Sequence, residues 1–265
     1  MPRALRLARA LFRRALLVLA VAAVLLVATK DRYAPHLVPP ELRAARSVLW
    51  VTAHPDDESF FFAPSILSLL APPHNADGAL LCLSVGDHEG LGDTRRQELG
   101  ASCGALGIAR ERCVALDVPT LPDDPAVWWE TDAVERAVRK YVEGWQADAV
   151  ISFDEYGVSG HANHRALSAA LSAISRSDPS FPPLYAVSST SLLAKYTSAL
   201  LLPVSVLQRL LPFSPSADAL FVSSVRQYRS TRCSFDAHQS QAIWFRSLFV
   251  SFSRYLWWVE LRRVV

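Results

Sequence analysis

The sequence predicts an α/β domain built on a mostly parallel sheet with flanking helices, preceded by one N-terminal membrane helix. Three observations lead there. From residue 48 onwards short apolar runs alternate with longer helical stretches, the rhythm of buried strands joined by covering helices. Two clusters of titratable residues each follow such a run: His54-Pro55-Asp56-Asp57-Glu58 after 48–51, and Ser159-Gly160-His161-Ala162-Asn163-His164 after 149–153. Parallel strands of one sheet deliver their trailing loops to the same edge, so the two clusters can meet. Ahead of all this, an unbroken apolar run over 15–28 follows Arg3, Arg6, Arg9, Arg13 and Arg14.

That run is about 21 Å long at ~1.5 Å per residue, short of the ~30 Å hydrocarbon core. Leu11, Phe12 and snorkelling arginines must extend it if it spans. A cleaved signal peptide also fits the charged flank, but residues 26–30 lack a small-x-small site, so 1–30 is read as a basic tail and uncleaved anchor. By the positive-inside rule the arginines hold their end in the cytosol and send the rest across. Residues 31–46, with Pro35, Pro39 and Pro40, read as a linker, and 47–265 as the domain.

Within the domain, 48–51 and 79–85 are the first two strands. Between them 59–70 is an apolar helix stopped by Pro72-Pro73, its start delayed or kinked by Pro64. Residues 95–106 form a helix closed by Gly107, 114–118 a third strand, 131–145 an amphipathic helix and 149–153 a fourth strand ending in Asp154. A helix starts near His164 and a strand covers 184–188. The apolar stretch 192–211, ended by Pro212, and the aromatic- and arginine-rich 240–265 each fit core packing or membrane contact equally.

A chain of 265 residues, 51% hydrophobic and 20% charged, can bury one sizeable core and is not disordered. A net charge of +2, with no basic block interleaved with aromatics, speaks against a nucleic-acid partner. Cys82, Cys103, Cys113 and Cys233 show no C-x-x-C spacing and read as reduced, mostly buried thiols, with a disulfide between an unnamed pair as the alternative.

The clusters carry the chemistry. His54, Asp57 and His164 together offer two nitrogens and one carboxylate, the set typical of catalytic zinc with an open position for water. Hydrolysis there needs a carboxylate to take a proton and an acid to assist the leaving amine, and Asp56 and His161 are the spare groups of the right type. Singly, an Asp-Asp pair can cap a helix and a histidine can be a surface residue; two clusters that each follow a strand favour a metal. Glu58 is assigned to orienting a ligand or capping a helix.

These residues resemble a known family. Ala53-His54-Pro55-Asp56-Asp57-Glu58 with Gly157-Val158-Ser159-Gly160-His161-Ala162-Asn163-His164 is similar to the PIG-L family of metal-dependent de-N-acetylases, which includes LmbE-like bacterial relatives. The resemblance implies a Rossmann-like fold, zinc on His54, Asp57 and His164 (other divalent transition metals being possible), Asp56 as general base, and His161 as general acid or electrostatic stabiliser. It further implies supporting roles for Glu58, Ser159, Asn163 and His238. Arg95-Arg96-Gln97-Glu98-Leu99 resembles the family's R-x-x-E-L helix, in which Arg95 faces the substrate's inositol phosphate; an Arg95–Glu98 surface pair is the alternative. His238-Gln239-Ser240-Gln241, Trp244-Phe245-Arg246 and Phe252-Ser253-Arg254-Tyr255 resemble the C-terminal signature of the family's eukaryotic branch. That branch implies de-N-acetylation of the membrane-embedded glycolipid GlcNAc-PI, the second step of GPI-anchor synthesis, at the endoplasmic reticulum membrane with the catalytic domain on the cytoplasmic side. The arginine count departs from the simplest charge expectation for that side, while the sparse cysteines favour it. A deacetylase of a soluble amino sugar and a non-catalytic subunit are the competing readings. The anchor and aromatic tail weigh against the first, and the complete set of catalytic residue types against the second.

Overall fold

The computed structural model describes residues 3–211, 215 and 217–264. Pro212 therefore lies outside the described residues. Helix α1 (Arg3–Tyr33) contains no glycine or proline and runs unbroken for 31 residues. By length and composition it can cross a membrane. A 3₁₀ turn (Ala34–Leu37) and helix α2 (Pro40–Ala44) follow. Residues 31–46, expected as a linker, are folded onto the domain, with Leu37, Val38, Leu42 and Ala45 buried. Glu41 accepts a hydrogen bond from the Tyr185 hydroxyl at 3.2 Å and pairs with Arg263 at 2.9 Å.

The α/β alternation then begins: β1 (Ser47–Thr52), a π-helical turn (Glu58–Phe62) running into α3 (Ala63–Leu70), β2 (Asp77–Cys82), α4 (Gly92–Leu106), β3 (Cys113–Ala115), α5 (Thr131–Gly144), β4 (Ala149–Phe153), α6 (Ala162–Ser177) and β5 (Leu184–Val187). Pro64 sits in the first turn of α3, where its missing N–H leaves no bond unmade. After β5 come α7 (Leu192–Lys195), α8 (Leu202–Leu210), β6 (Ala219–Val222), α9 (Val225–Ala237), α10 (Trp244–Phe252) and β7 (Trp258–Arg263).

The seven strands form one sheet in the order β3-β2-β1-β4-β5-β7-β6. The first five are parallel, and β7 is antiparallel to both β5 and β6. From β1 the chain winds outward through β2 and β3, then returns to place β4 on the other side of β1. The carboxyl ends of β1 and β4 thus flank the topological switch point, where open α/β sheets hold their ligands. Every residue of β1 and β4 is buried, which is why both read as continuous apolar runs rather than alternating ones. Trp50 on β1 is fully enclosed, and its Nε1 donates to Ser65 Oγ at 3.0 Å.

Two readings change. Cys103 and Cys113, expected as thiols, form a disulfide, leaving Cys82 and Cys233 free. Gly107 at φ +86° turns the chain sharply after α4, so the two cysteines, ten positions apart, return to a Cα separation of 6.4 Å. The sparse cysteines therefore no longer argue for a reducing compartment. The two open segments divide rather than choose. In 192–211, Leu202 and Val206 are buried while Leu193 is 86% exposed; in 240–265, Phe249, Tyr255 and Trp258 are buried while Trp244 is 78% exposed. Trp258 and its successors form the central antiparallel strand of the sheet's far end, which aromatic and arginine content alone did not reveal.

Buried Val27 of α1 and Leu37 pack against Leu202 and Val206 of α8, Leu220 and Val222 of β6, and Trp258 of β7. The end of the helix is therefore part of the domain. In detergent, removal of residues 1–38 should lower the thermal midpoint by more than about 5 °C relative to removal of 1–22, since each buried Val or Leu contributes roughly 1.5–3 kcal/mol. Equal midpoints would show that α1 is only a tether.

Candidate active site

The turn after β1 is held in an unusual shape. Asp56 adopts φ +119°, a conformation that costs a non-glycine residue about 1–3 kcal/mol. Hydrogen bonds hold it there: Asp56 N donates to Glu58 Oε2 at 3.0 Å, and Asp56 O accepts from Ser59 N and Phe60 N, both at 3.1 Å. Glu58 is fully buried; its Oε1 accepts from Ser102 Oγ and lies 2.6 Å from His238 Nε2. Burial alone would depress His238, but the Glu58 carboxylate outweighs it and raises the imidazole's pKa. Glu58 and His238 thus sit behind the turn and hold its backbone.

Across the switch point, the loop after β4 is shaped by Asp154, which accepts from Gly157 N at 3.0 Å and from Ser189 N at 2.6 Å. Gly157 has φ +67°, and a Cβ there would lie 2.6 Å from the Cβ of His164, so only glycine fits. His164 on α6 stacks on Phe153 with ring centroids 4.1 Å apart.

These supports bring the two clusters together. His54 Nδ1 lies 3.1 Å from His164 Nε2, and His164 Nε2 lies 3.3 Å from Asp57 Oδ1. The second Asp57 oxygen is 3.9 Å from His54 Nδ1 and accepts from His54 N at 2.9 Å. Each imidazole uses its other nitrogen elsewhere. His164 Nδ1 donates to Gly157 O at 2.9 Å, and His54 Nε2 faces Asn163 Oδ1 at 3.0 Å and Asp123 Oδ1 at 3.1 Å. With protons assigned from that network, the nitrogens facing each other carry lone pairs, and a carboxylate oxygen joins them. Such a set fits a cation: donors ~2.0–2.1 Å from one tetrahedral zinc stand about 3.3 Å apart. Burial alone would raise Asp57, but without a metal the His164 and His54 rings in their protonated form, together with the His54 N–H, hold it well below the usual carboxylate range. His161 offers a further nitrogen, and the ligand atoms of the three histidines lie within 4.8 Å of one another.

The other expected residues fall as follows. His161 caps α6, and its Nδ1 accepts from Asn163 N at 3.2 Å. Asn163 also donates through Nδ2 to Val127 O at 3.0 Å. Ser159 Oγ is 3.5 Å from His164 Nδ1. Arg95 turns inward: Nη2 donates to Pro55 O at 2.8 Å and Nη1 to Gly86 O at 3.0 Å. It lines the cleft but braces the turn from behind, and Glu98 instead accepts from Ser240 N at 2.7 Å, so the helix-surface pair does not form.

Three residues at the site carried no site role in the sequence, although Arg246 stood in the Trp244-Phe245-Arg246 motif. Asp123 holds His54 Nε2, and its only signal was an acidic pair in a proline-rich loop after the third strand, at the same sheet edge. Arg246 pairs with Asp56 Oδ2 at 2.7 Å and lies over the Phe60 ring. Lys195 lines the same cleft from α7. The cleft has a volume of about 540 Å³, within the ~300–1,000 Å³ usual for small-molecule sites.

A doubly wound sheet with a donor-lined cleft at its switch point is the architecture of α/β proteins that hold their ligands at the carboxyl ends of the strands. The zinc-inhibited form of teicoplanin deacetylase Orf2 has this fold: it superposes with a TM-score of 0.55 at 12% identity, covering 82% of this chain and 98% of that one. Sequence is more specific. The family model described as PIG-L, GlcNAc-PI de-N-acetylase, matches residues 49–175. The N-acetylglucosaminyl-phosphatidylinositol de-N-acetylase of Bos taurus is 40% identical over 210 residues, 78% of this chain and 79% of the relative. A probable enzyme of the same name from Dictyostelium discoideum is 31% identical over 240 residues, 79% of this chain and 90% of its own. The chain belongs to the PIG-L family.

Asp123→Ala should weaken zinc binding by about 10–100-fold in calorimetric titration, because it frees His54 to reorient. Unchanged affinity would remove Asp123 from that role.

Proposed function

We propose that this chain hydrolyses the acetamide of GlcNAc-phosphatidylinositol, releasing acetate and leaving glucosaminyl-phosphatidylinositol, the second step of GPI-anchor synthesis. The observation that carries the reading is the convergence of His54, Asp57 and His164 beside the Asp56 carboxylate in one cleft, in a chain 40% identical to the bovine de-N-acetylase. His54, Asp57 and His164 would hold the metal; two imidazoles and a carboxylate suit zinc, and other divalent transition metals accept the same donors. When bound, the ion supplies Lewis acidity, lowering the pKa of water to about 7 and polarising a carbonyl oxygen.

The protein's own groups handle the protons. Asp56 accepts one from the attacking water. Burial raises its pKa although Arg246 lowers it, so the carboxyl can hold that proton and pass it to the acetamide nitrogen as the C–N bond breaks. Burial, with His54 and His164 nearby, holds His161 down to about 4. His161 is then neutral, and because Nδ1 accepts from Asn163 N, its proton lies on Nε2. Of the two roles the family implies, this favours the stabiliser: Nε2–H donates a hydrogen bond to the developing oxyanion.

We also assign the domain to a membrane surface, anchored by α1. Leu192 and Leu193 on α7 and Trp244, Leu248 and Phe252 on α10 are exposed on elements that line the cleft, an apolar rim suited to a bilayer interface. On the family resemblance, that membrane is the endoplasmic reticulum, with the domain on the cytoplasmic side. Protease should degrade the domain in sealed microsomes, and protection would reverse the orientation.

Purified protein should release acetate from GlcNAc-PI in mixed micelles. Asp56→Ala is expected to retain one equivalent of metal while losing at least about 10²-fold in turnover; near-normal turnover would clear Asp56 of the proton-transfer role. His164→Ala should release the metal, and a variant still holding one equivalent would show the ligand set to be wrong.

A further inference from the structure

The cations lining the cleft differ in one respect. Arg246 sits 2.7 Å from Asp56, and Arg95 lies 3.7 Å from Asp56 and 3.5 Å from Asp123, so both guanidinium groups are neutralised by the carboxylates of the floor. Lys195 has no such partner. No carboxylate among the described residues lies within ion-pair distance of it, and its Nζ donates to Val158 O at 2.8 Å. An ammonium has three donors, so the others remain available. Lys195 is half-buried, and burial lowers its pKa: its charge is disfavoured there until an anion arrives.

Its position suggests which anion. Lys195 ends α7, whose Leu192 and Leu193 are among the most exposed apolar side chains of the chain. The next residue, Tyr196, also lines the cleft and meets the ring of Phe249 on α10 at 6.2 Å, while Ser198 N donates to Phe252 O at 2.8 Å. Lys195 therefore stands on the wall between the donor cluster and the apolar rim. A glycolipid whose acetamide reaches the donors, and whose acyl chains remain at the rim, must pass its phosphodiester between them.

We propose that Lys195 binds the phosphodiester of the lipid-linked substrate. The inference rests on the GlcNAc-PI reading and deepens it by assigning the residue that recognises the phospholipid half. Val158, with φ +61°, lies beside Gly157, whose carbonyl orients His164, so a role for Lys195 that only braced this loop would show on every substrate alike.

The test compares three substrates: GlcNAc-PI, water-soluble GlcNAc-inositol phosphate, and GlcNAc-inositol, which lacks phosphate. Lys195→Met keeps the apolar stem and removes the charge. It should raise KM for both phosphorylated substrates by about ten- to a hundredfold, the range for a lost hydrogen bond to a charged group. Its kcat should stay near wild type, its kcat/KM for GlcNAc-inositol should not change, and Lys195→Arg should restore most of the loss. A loss confined to GlcNAc-PI, an equal loss on all three substrates, or no loss on any would overturn the proposal. The equal loss would mean that Lys195 only braces the 157–164 loop. Wild-type protein inactive on GlcNAc-PI would instead overturn the functional reading, and this inference with it.

Discussion

Three electron-rich atoms facing one another at 3.1 and 3.3 Å, with their protons directed elsewhere, form the constraint on which the site depends. Without a cation between them, such a cluster is electrostatically unfavourable, since two lone pairs and a carboxylate repel in a buried space. The surrounding structure holds them together: Gly157 O fixes one ring, Asn163 and Asp123 fix the other, and the backbone N–H groups of Ala53 and His54 fix Asp57. Preorganised donors are what a tightly bound metal requires, because little reordering then opposes binding.

The strained turn beside them has its own support. Glu58 is a buried carboxylate that joins three parts of the chain: the amide of Asp56, Ser102 on α4, and His238 after α9. Ser234 on α9 approaches Ser102 at 2.6 Å, so the α4–α9 packing is tied to the same point. Removing one member of a buried ion pair typically costs about 3–5 kcal/mol, because the partner is left uncompensated. Here that energy also keeps Asp56 in a conformation that a relaxed backbone would leave. The C-terminal region thus acts on the Asp56 turn at long range in sequence, through His238 and through Arg246.

Much of this was legible in the sequence because it rests on local signals. The apolar runs of β1 and β4 and the clusters that follow them gave the sheet edge, and the shared edge brought His54, Asp57 and His164 together. The signal failed where a role depends on distant packing. Nothing local distinguishes Asp123 from an ordinary loop aspartate, because its function exists only through the His54 ring. Arg95 read as substrate-facing and does line the cleft, but its hold on the carbonyls of Pro55 and Gly86 is a long-range contact that its own helix does not announce. The Cys103–Cys113 pair depends on how tightly Gly107 turns the chain. In β7, the side chains pack into the sheet's far end and beneath Arg254, so aromatic content resembled a membrane belt although Trp258 is buried.

The same division explains the apolar surface. Residues buried in 192–211 and 240–265 build the domain, and those left exposed lie on elements that line the cleft, so one stretch of chain serves both core and rim. The central claim is the identity of the donors, and anomalous diffraction from zinc-loaded crystals tests it most directly. The account predicts one peak within about 2.0–2.2 Å of His54 Nδ1, His164 Nε2 and an Asp57 oxygen. A peak held by His161 in place of Asp57, or no peak between the two strand ends, would contradict it.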